Sequence, residues 1–116
     1  MHEPKAIICG MLEKEGKILF LEKDGKIELP WVYGSLRGDP MSQMEEAYLK
    51  KTDVKVEAAQ VVMEEKSEEL TVHVLQMIPR EGVNPDPSAG YSAVWLTLEE
   101  AKKKPLAKHF EWIGSL

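Results

Sequence analysis

The residues whose types and spacing could best support a chemical function lie between Leu29 and Val54, in the segment LPWVYGSLRGDPMSQMEEAYLKKTDV. This pattern predicts a loop that leads into one short helix between two strand-like stretches. The helix carries an acidic pair, Glu45-Glu46, and a basic pair, Lys50-Lys51. Mg²⁺ and Mn²⁺ are hard ions that take oxygen ligands, so a site for either ion needs several carboxylates close together. The helix offers no such cluster.

The start and end of this helix follow from local signals. We predict that it begins at Ser42, because Ser42 and Glu45 have the three-residue spacing of a capping box. Asp39-Pro40, just upstream, also suits a helix start. The helix should end near Thr52-Asp53. Three of its residues share one face and are the candidates for burial: Met44, Ala47 and Tyr48.

The segment resembles the Nudix box of the Nudix hydrolase family. That box reads Gly, five residues, Glu, seven residues and then R-E-U-x-E-E-x-G-U, where U is aliphatic. Leu29-Pro30 stand where the family has the Leu-Pro that opens the box loop, Gly38-Asp39 match its Gly-Glu, and Thr52-Asp53-Val54 match x-G-U. The loop here is one residue longer and the approach to the helix one residue shorter, so the resemblance is positional.

The box chemistry depends on the register between these anchors. Counting back from Val54 places Glu46 on the family's Arg, Ala47 on the Glu that follows it, and Lys50-Lys51 on the paired Glu residues. We favour this register because family members pair the box Arg with the first later Glu, one turn on. Glu46 and Lys50 would form that pair with exchanged signs. A solvated surface pair without further meaning is the open alternative.

The ungapped register gives the same chemical outcome. Counting forward from Asp39 places Tyr48 on the earlier Glu and Lys51-Thr52 on the paired positions. Neither register restores the metal ligands of the box. The resemblance therefore implies a Nudix-like fold whose metal site has decayed, with no metal cofactor.

An active enzyme would need metal ligands from new positions. The candidates are Asp39, Glu45 and Glu64, because family members sometimes borrow a ligand from outside the box. Under this alternative the protein is a pyrophosphohydrolase that acts on a nucleoside diphosphate-linked substrate with Mg²⁺ or Mn²⁺. Glu64 also fits a solvated hairpin end, where charge runs usually face water.

A second set of residues suggests ligand binding without a metal. Lys51 and Arg37 could place fixed cations where the family holds its ion, since a lysine can meet a phosphate directly. Trp31 and Tyr33 replace the small residues that follow Leu-Pro in the family, and they could stack on a base or fill an unused pocket. The loop Val83–Gly90 could border the same cleft. Alternatively, the aliphatic part of the Lys51 side chain only packs over the sheet, with its ammonium group in water.

Other common catalytic patterns are missing from the sequence. The three histidines, His2, His73 and His109, have no metal-ligand spacing. Cys9 lies in an apolar run without a basic neighbour in sequence, so a buried inert thiol is expected. There is no glycine-rich phosphate loop, no Ser-His-Asp order and no CxxC pair.

The elements around the box complete the expected fold. The predicted strands are Ala6–Leu12, Lys17–Glu22, Ile27–Leu29, Val54–Glu64, Leu70–Pro79 and Tyr91–Leu96. Thr97 and Glu100 form a second capping box, which opens a helix that Pro105 ends, and Leu106–Ile113 should form a final short helix. GKILFLEKDGKIELP and YSAVWLTLEEAKKKPL also resemble Nudix segments, so the likeness covers nearly the whole chain. It implies an α/β fold with a mixed sheet, a central box helix and C-terminal helices.

The whole chain sets the remaining expectations. Its 116 residues suit one domain, 1–116, and its net charge of −5 argues against a general nucleic-acid or membrane surface. No apolar run approaches the ~20 residues of a membrane span and no signal peptide is apparent, so we expect a cytoplasmic protein. The function expected first is binding of a small phosphate-containing ligand or a protein partner without catalysis. The divergent hydrolase is the alternative.

Overall fold

The centre of the fold is a mixed β-sheet. The computed structural model describes residues 5–34, 39–66, 70–82, 86–87 and 90–116. The described strands are β1 (Lys5–Lys14), β2 (Lys17–Lys23), β3 (Lys26–Glu28), β4 (Trp31–Tyr33), β5 (Val56–Lys66), β6 (Leu70–Pro79) and β7 (Ala93–Leu96). The described helices are α1 (Pro40–Thr52), α2 (Leu98–Lys102) and a C-terminal 3₁₀ helix (Lys108–Ser115).

β1 organises the sheet. The strand order is β3-β2-β1-β6-β5, with β4 paired to β1 and β7 paired to β2. β1 and β6 run parallel, from the Lys5–Leu70 pair to the Leu12–Met77 pair, while the other pairings are antiparallel. The predicted α/β class with a mixed sheet is therefore confirmed.

The hairpin turns of the sheet are built from residues that tolerate positive φ. Glu15 and Gly16 have φ of 53° and 79°, and Asp24 and Gly25 have φ of 53° and 76°. Two successive positive φ values match the handedness of a two-residue hairpin turn to the twist of its strands. These turns return β2 to β1 and β3 to β2 in antiparallel register.

The sheet separates two apolar layers. One face packs against α2 and the 3₁₀ helix, which contribute Ala101, Phe110 and Ile113. The other face packs against α1, through Met44, Ala47 and Tyr48, as predicted for the helix face. A Cβ built on Gly10 of β1 would lie 2.5 Å from Cε2 of Tyr48. Gly10 therefore lets the Tyr48 ring approach the sheet backbone.

Several predicted boundaries were wrong. α1 begins at Pro40, and Asp39, rather than Ser42, is its N-cap. Asp39 Oδ1 accepts from the Ser42 amide at 3.2 Å, and Oδ2 accepts from the Ser42 hydroxyl at 2.7 Å. Glu45 does not complete a capping box, because its Oε2 accepts from the backbone amide of Ala58 in β5 at 3.0 Å.

Two further segments differ from expectation. Trp31–Tyr33 is strand β4, paired with Ile7–Cys9, where the box resemblance indicated a loop. Trp, Val and Tyr all favour β-strands, and this preference overrides the loop that the resemblance indicated. The last helix is a 3₁₀ helix that begins at Lys108, and Leu106 instead bridges Ile27 of β3. The second capping box, Thr97 with Glu100, is confirmed.

Candidate ligand-binding cleft

A cavity of about 260 Å³ lies between β4 and α1. Its wall is built from one exposed strand edge and one helix flank, and the lining residues are Val32, Tyr33, Gln43, Glu46, Ala47, Lys50 and Lys51. The helical members recur at positions 43, 46-47 and 50-51. This i, i+3/i+4 spacing places them along one side of α1.

Both ends of α1 are fixed, and this holds the helical wall in place. Asp39 caps the first turn, and its hydrogen bonds to Ser42 lower the pKa of its carboxyl group. At the other end Asp53 adopts a left-handed conformation with φ of 59°, and its amide donates to the Leu49 carbonyl at 3.0 Å. This is the position that the Nudix pattern gives to Gly, the residue suited to such a helix end.

Lys51 links the two walls of the cavity. Its Nζ donates a hydrogen bond to the main-chain carbonyl of Trp31 in β4 and lies 5.4 Å from the centroid of the Trp31 ring. Burial lowers the pKa of Lys51 from its usual value. The Glu28 carboxylate opposes this shift and the nearby Lys23 ammonium adds to it. Lys51 is thus a half-buried cation at the cavity wall.

Lys50 is bound differently from its neighbour. Its Nζ lies 2.9 Å from Oε1 of Glu46, one turn earlier, and both side chains are mostly exposed. The predicted contact between Glu46 and Lys50 therefore exists. The cavity then has two lysine cations and one carboxylate among its lining side chains.

Trp31 and Tyr33 have separate roles at the strand edge. Trp31 packs against the core layer under the 3₁₀ helix. The centroid of its ring lies 5.8 Å from the ring centroid of His109 and 6.5 Å from that of Phe110. Its indole N–H donates to Oε2 of Glu28 at 2.9 Å. Tyr33 meets Trp31 edge-on at 4.9 Å but is 67% exposed. Tyr33 is therefore the aromatic side chain that a ligand in the cavity can reach.

Val32 and Gln43 line the cavity but were not among the predicted ligand-binding residues. Gln43 precedes Ala47 by one turn, so the helical spacing could have found it. A Cβ on Gly34 would lie 2.9 Å from Oε1 of Gln43. Because it has no Cβ, Gly34 thus leaves room for the Gln43 amide just after the end of β4.

The three carboxylates considered as relocated metal ligands each have other partners. Asp39 caps α1, Glu45 accepts from Ala58, and Glu64 lies 3.3 Å from the Lys66 ammonium and 3.8 Å from Nδ1 of His73. Glu45 contacts β5 at Ala58, which is six residues from Glu64 on the same strand, a separation of roughly 20 Å along the strand. Within the described ranges, no three His, Cys, Asp or Glu side chains gather as a metal site.

Some of the other expected residues are not described by the structure. Arg37 lies outside the described residues, as does most of Val83–Gly90. Of that loop, Asp86 accepts from the Trp95 indole at 3.0 Å and lies 3.4 Å from the Lys14 ammonium. Cys9 is buried, as predicted, and burial raises the pKa of its thiol.

The fold can be compared with known proteins. No family model matches the sequence, and no curated protein matches it by sequence. An ADP-ribose pyrophosphatase from Streptococcus suis is similar in structure, with a TM-score of 0.75, 17% identity, and coverage of 97% of this chain and 86% of that one.

Two other solved structures give the same result. A NUDIX hydrolase from Nitrosomonas europaea has a TM-score of 0.72 at 13% identity, over 99% of this chain and 73% of that one. A NUDIX family hydrolase from Clostridium perfringens has a TM-score of 0.65 at 10% identity, over 99% of each chain. None of the described helices is long and apolar enough to cross a membrane. The chain has a Nudix-like fold.

Proposed function

We propose that the protein binds a small phosphate-containing ligand in the cavity between β4 and α1, without a metal ion and without hydrolysing the ligand. The observation that carries this proposal is the position of Lys51. It shares one side of α1 with Ala47, one turn earlier, and both residues line the cavity. The favoured register places both on metal-binding glutamates of the family, so the carboxylates are replaced by a methyl group and a cation.

The electrostatics of the cavity favour an anion. Its lining side chains carry two lysine ammonium groups and the Glu46 carboxylate, a local excess of one positive charge on a chain of net charge −5. Lys51 is half-buried, and lower solvent exposure strengthens its attraction for a phosphate. Glu46 holds Lys50, so Lys51 is the cation that a ligand can engage without first breaking an ion pair.

Two other lining groups suit such a ligand. The Gln43 amide can donate to phosphate oxygens, and the exposed ring of Tyr33 offers a surface for a sugar or base attached to the phosphate. A lysine ammonium neutralises a phosphate but does not activate water as a bound metal does. These side chains therefore support binding and give no general route to hydrolysis.

The names of similar structures guide the choice of probes. They include an ADP-ribose pyrophosphatase and a UDP-X diphosphatase. We would titrate the protein with ADP-ribose, UDP-glucose and pyrophosphate by calorimetry in the presence of a chelator. We expect at least one to bind, with affinity falling as salt concentration rises.

A matched pair of variants locates the site. Lys51→Met keeps the apolar stem and removes the charge, so it should weaken binding about tenfold, as expected for a lost hydrogen bond to a charged group. Lys104→Ala removes an exposed lysine after α2 and should leave binding unchanged. The proposal fails if no probe binds, or if both variants have the same effect.

A further inference from the structure

The surroundings of the Lys51 amine bear on covalent chemistry as well as on the attraction of a phosphate. We propose that Lys51 is a carbonyl-condensing amine, whose Nζ forms a reversible imine with an aldehyde that enters the cavity between β4 and α1. The inference shares its site with the proposed function, and it rests on that function only for the expectation that the aldehyde carries a phosphate.

The first support is orientation. The Trp31 carbonyl accepts a hydrogen bond from Lys51 Nζ, which anchors the end of an otherwise flexible side chain beside β4, and Lys51 is one of the residues that line the cavity. The indole ring of Trp31 lies 5.4 Å from the same nitrogen and shields one side of it. An amine held in this way loses less conformational entropy when it reacts.

The second support is the protonation state. A lysine attacks a carbonyl only as the neutral amine, and burial lowers the pKa of Lys51, which raises the neutral fraction at a given pH. Lys23 acts in the same direction, whereas Glu28 opposes it, as do the Trp31 carbonyl and ring, which attract the ammonium form. Lys50 lines the same cavity but is exposed and ion-paired with Glu46, so it provides an internal comparison.

The reaction balances without a further reagent. Protonated Lys51 first loses one proton to solvent. The nitrogen lone pair then attacks the carbonyl carbon, a C–N bond forms, and the carbonyl oxygen leaves as water with the two remaining amine protons. If the imine is protonated, its single N–H can keep the hydrogen bond to the Trp31 carbonyl.

Pyridoxal 5′-phosphate is a suitable probe, because it joins an aldehyde to a phosphate. The protein would be incubated with it, reduced with borohydride to trap the imine, and mapped by peptide mass spectrometry. We expect the adduct on Lys51 to form several-fold faster than the adduct on Lys50. The labelling of Lys51 should also rise at a lower pH than the labelling of a lysine in a model peptide, and the preference for Lys51 should vanish in urea.

Controls separate this inference from the proposed function. Lys51→Arg should abolish the adduct at position 51 and leave the Lys50 adduct. If pyridoxal without phosphate labels Lys51 as fast and pyrophosphate gives no protection, the amine chemistry stands and the proposed phosphate binding fails. If pyrophosphate binds but Lys51 is labelled no faster than Lys50, the inference is overturned and the proposed function stands.

Discussion

Lys51 of α1 donates a hydrogen bond to the main-chain carbonyl of Trp31 in β4, and this contact joins the helical and strand walls of the cavity. The contact holds a half-buried cation in place. Because burial lowers the pKa of Lys51, the folded state binds its proton less readily than the unfolded state does. Keeping this cation therefore costs some stability, which under the proposed function is the trade between stability and binding that is common at functional sites.

Lys51→Met tests whether the Lys51 cation lowers the stability of the folded state. At pH 7 we expect the variant to be at least as stable as the parent, with a difference within about 1 kcal/mol. Stability of the parent should rise with pH between the lowered folded pKa of Lys51 and the normal value near 10.4, since the unfolded state then binds more protons. Urea unfolding at several pH values measures this. A parent that loses stability relative to the variant over that interval would contradict the prediction.

The Nudix-like fold alone does not imply metal-dependent turnover. We expect no Mg²⁺- or Mn²⁺-dependent hydrolysis of nucleoside diphosphate-linked compounds, because Ala47 and Lys51 cannot ligate a cation. The measurement is the formation of nucleoside monophosphate from these compounds, followed by chromatography with and without chelator. Turnover that disappears with chelator, or in Glu45→Gln or Glu64→Gln, would establish the divergent hydrolase instead.

The Glu46–Lys50 contact predicts a small energetic coupling. The atoms lie 2.9 Å apart, but both side chains are mostly exposed. A double-mutant cycle with Glu46→Ala and Lys50→Ala should therefore give about 0.2–0.5 kcal/mol. A coupling of zero would show a solvated pair that does not act together, and would remove the reason for favouring the gapped register.

Gly10→Ala should be strongly destabilising. The added Cβ would meet Cε2 of Tyr48 at 2.5 Å, and the Tyr48 ring is fully buried. Forced overpacking of this kind costs about 1–3 kcal/mol. Gly114→Ala is the matched control, because its Cβ would meet only Cδ1 of Leu106, at 3.7 Å. Thermal unfolding of the two variants compares them, and equal losses would disprove the close approach.

The Asp39 cap predicts an acid-dependent loss of stability. Its hydrogen bonds to Ser42 lower the folded pKa of Asp39, so its stabilising effect is present above the unfolded value near 3.9 and is lost as pH falls through the folded pKa. Asp39→Asn keeps a capping side chain without titrating. We expect this variant to lose less stability than the parent between pH 5 and pH 2, measured by circular dichroism. Identical profiles would exclude the cap as the cause.

Sequence reasoning recovered the fold because its signals are local and mutually consistent. The turns at Glu15-Gly16 and Asp24-Gly25, the second capping box and the apolar runs of β1 and β6 each determine one element. The parallel pairing of β1 with β6 joins residues 65 positions apart, as in the Lys5–Leu70 pair. No local pattern specifies such a contact, and the family resemblance predicted only that the sheet would be mixed.

The site was only partly predictable for the same reason. Lys51 could be placed in the cavity by its spacing along α1. Its contact with the Trp31 carbonyl depends on β4, which the box pattern concealed. Glu45 seemed to be a capping residue because the capping box is a short-range motif, yet its carboxylate reaches the Ala58 amide, 13 residues away.

That Glu45–Ala58 hydrogen bond has a consequence for self-association. β5 is one of the two outer strands in the described sheet order, and an open outer strand is a template on which another chain can add. The Glu45 carboxylate occupies one of its backbone amides, and irregularities between Ala58 and Gln60 and between Val61 and Met63 interrupt its register. An incoming strand therefore meets no continuous ladder of donors and acceptors, and this lowers the tendency of the protein to aggregate through that edge.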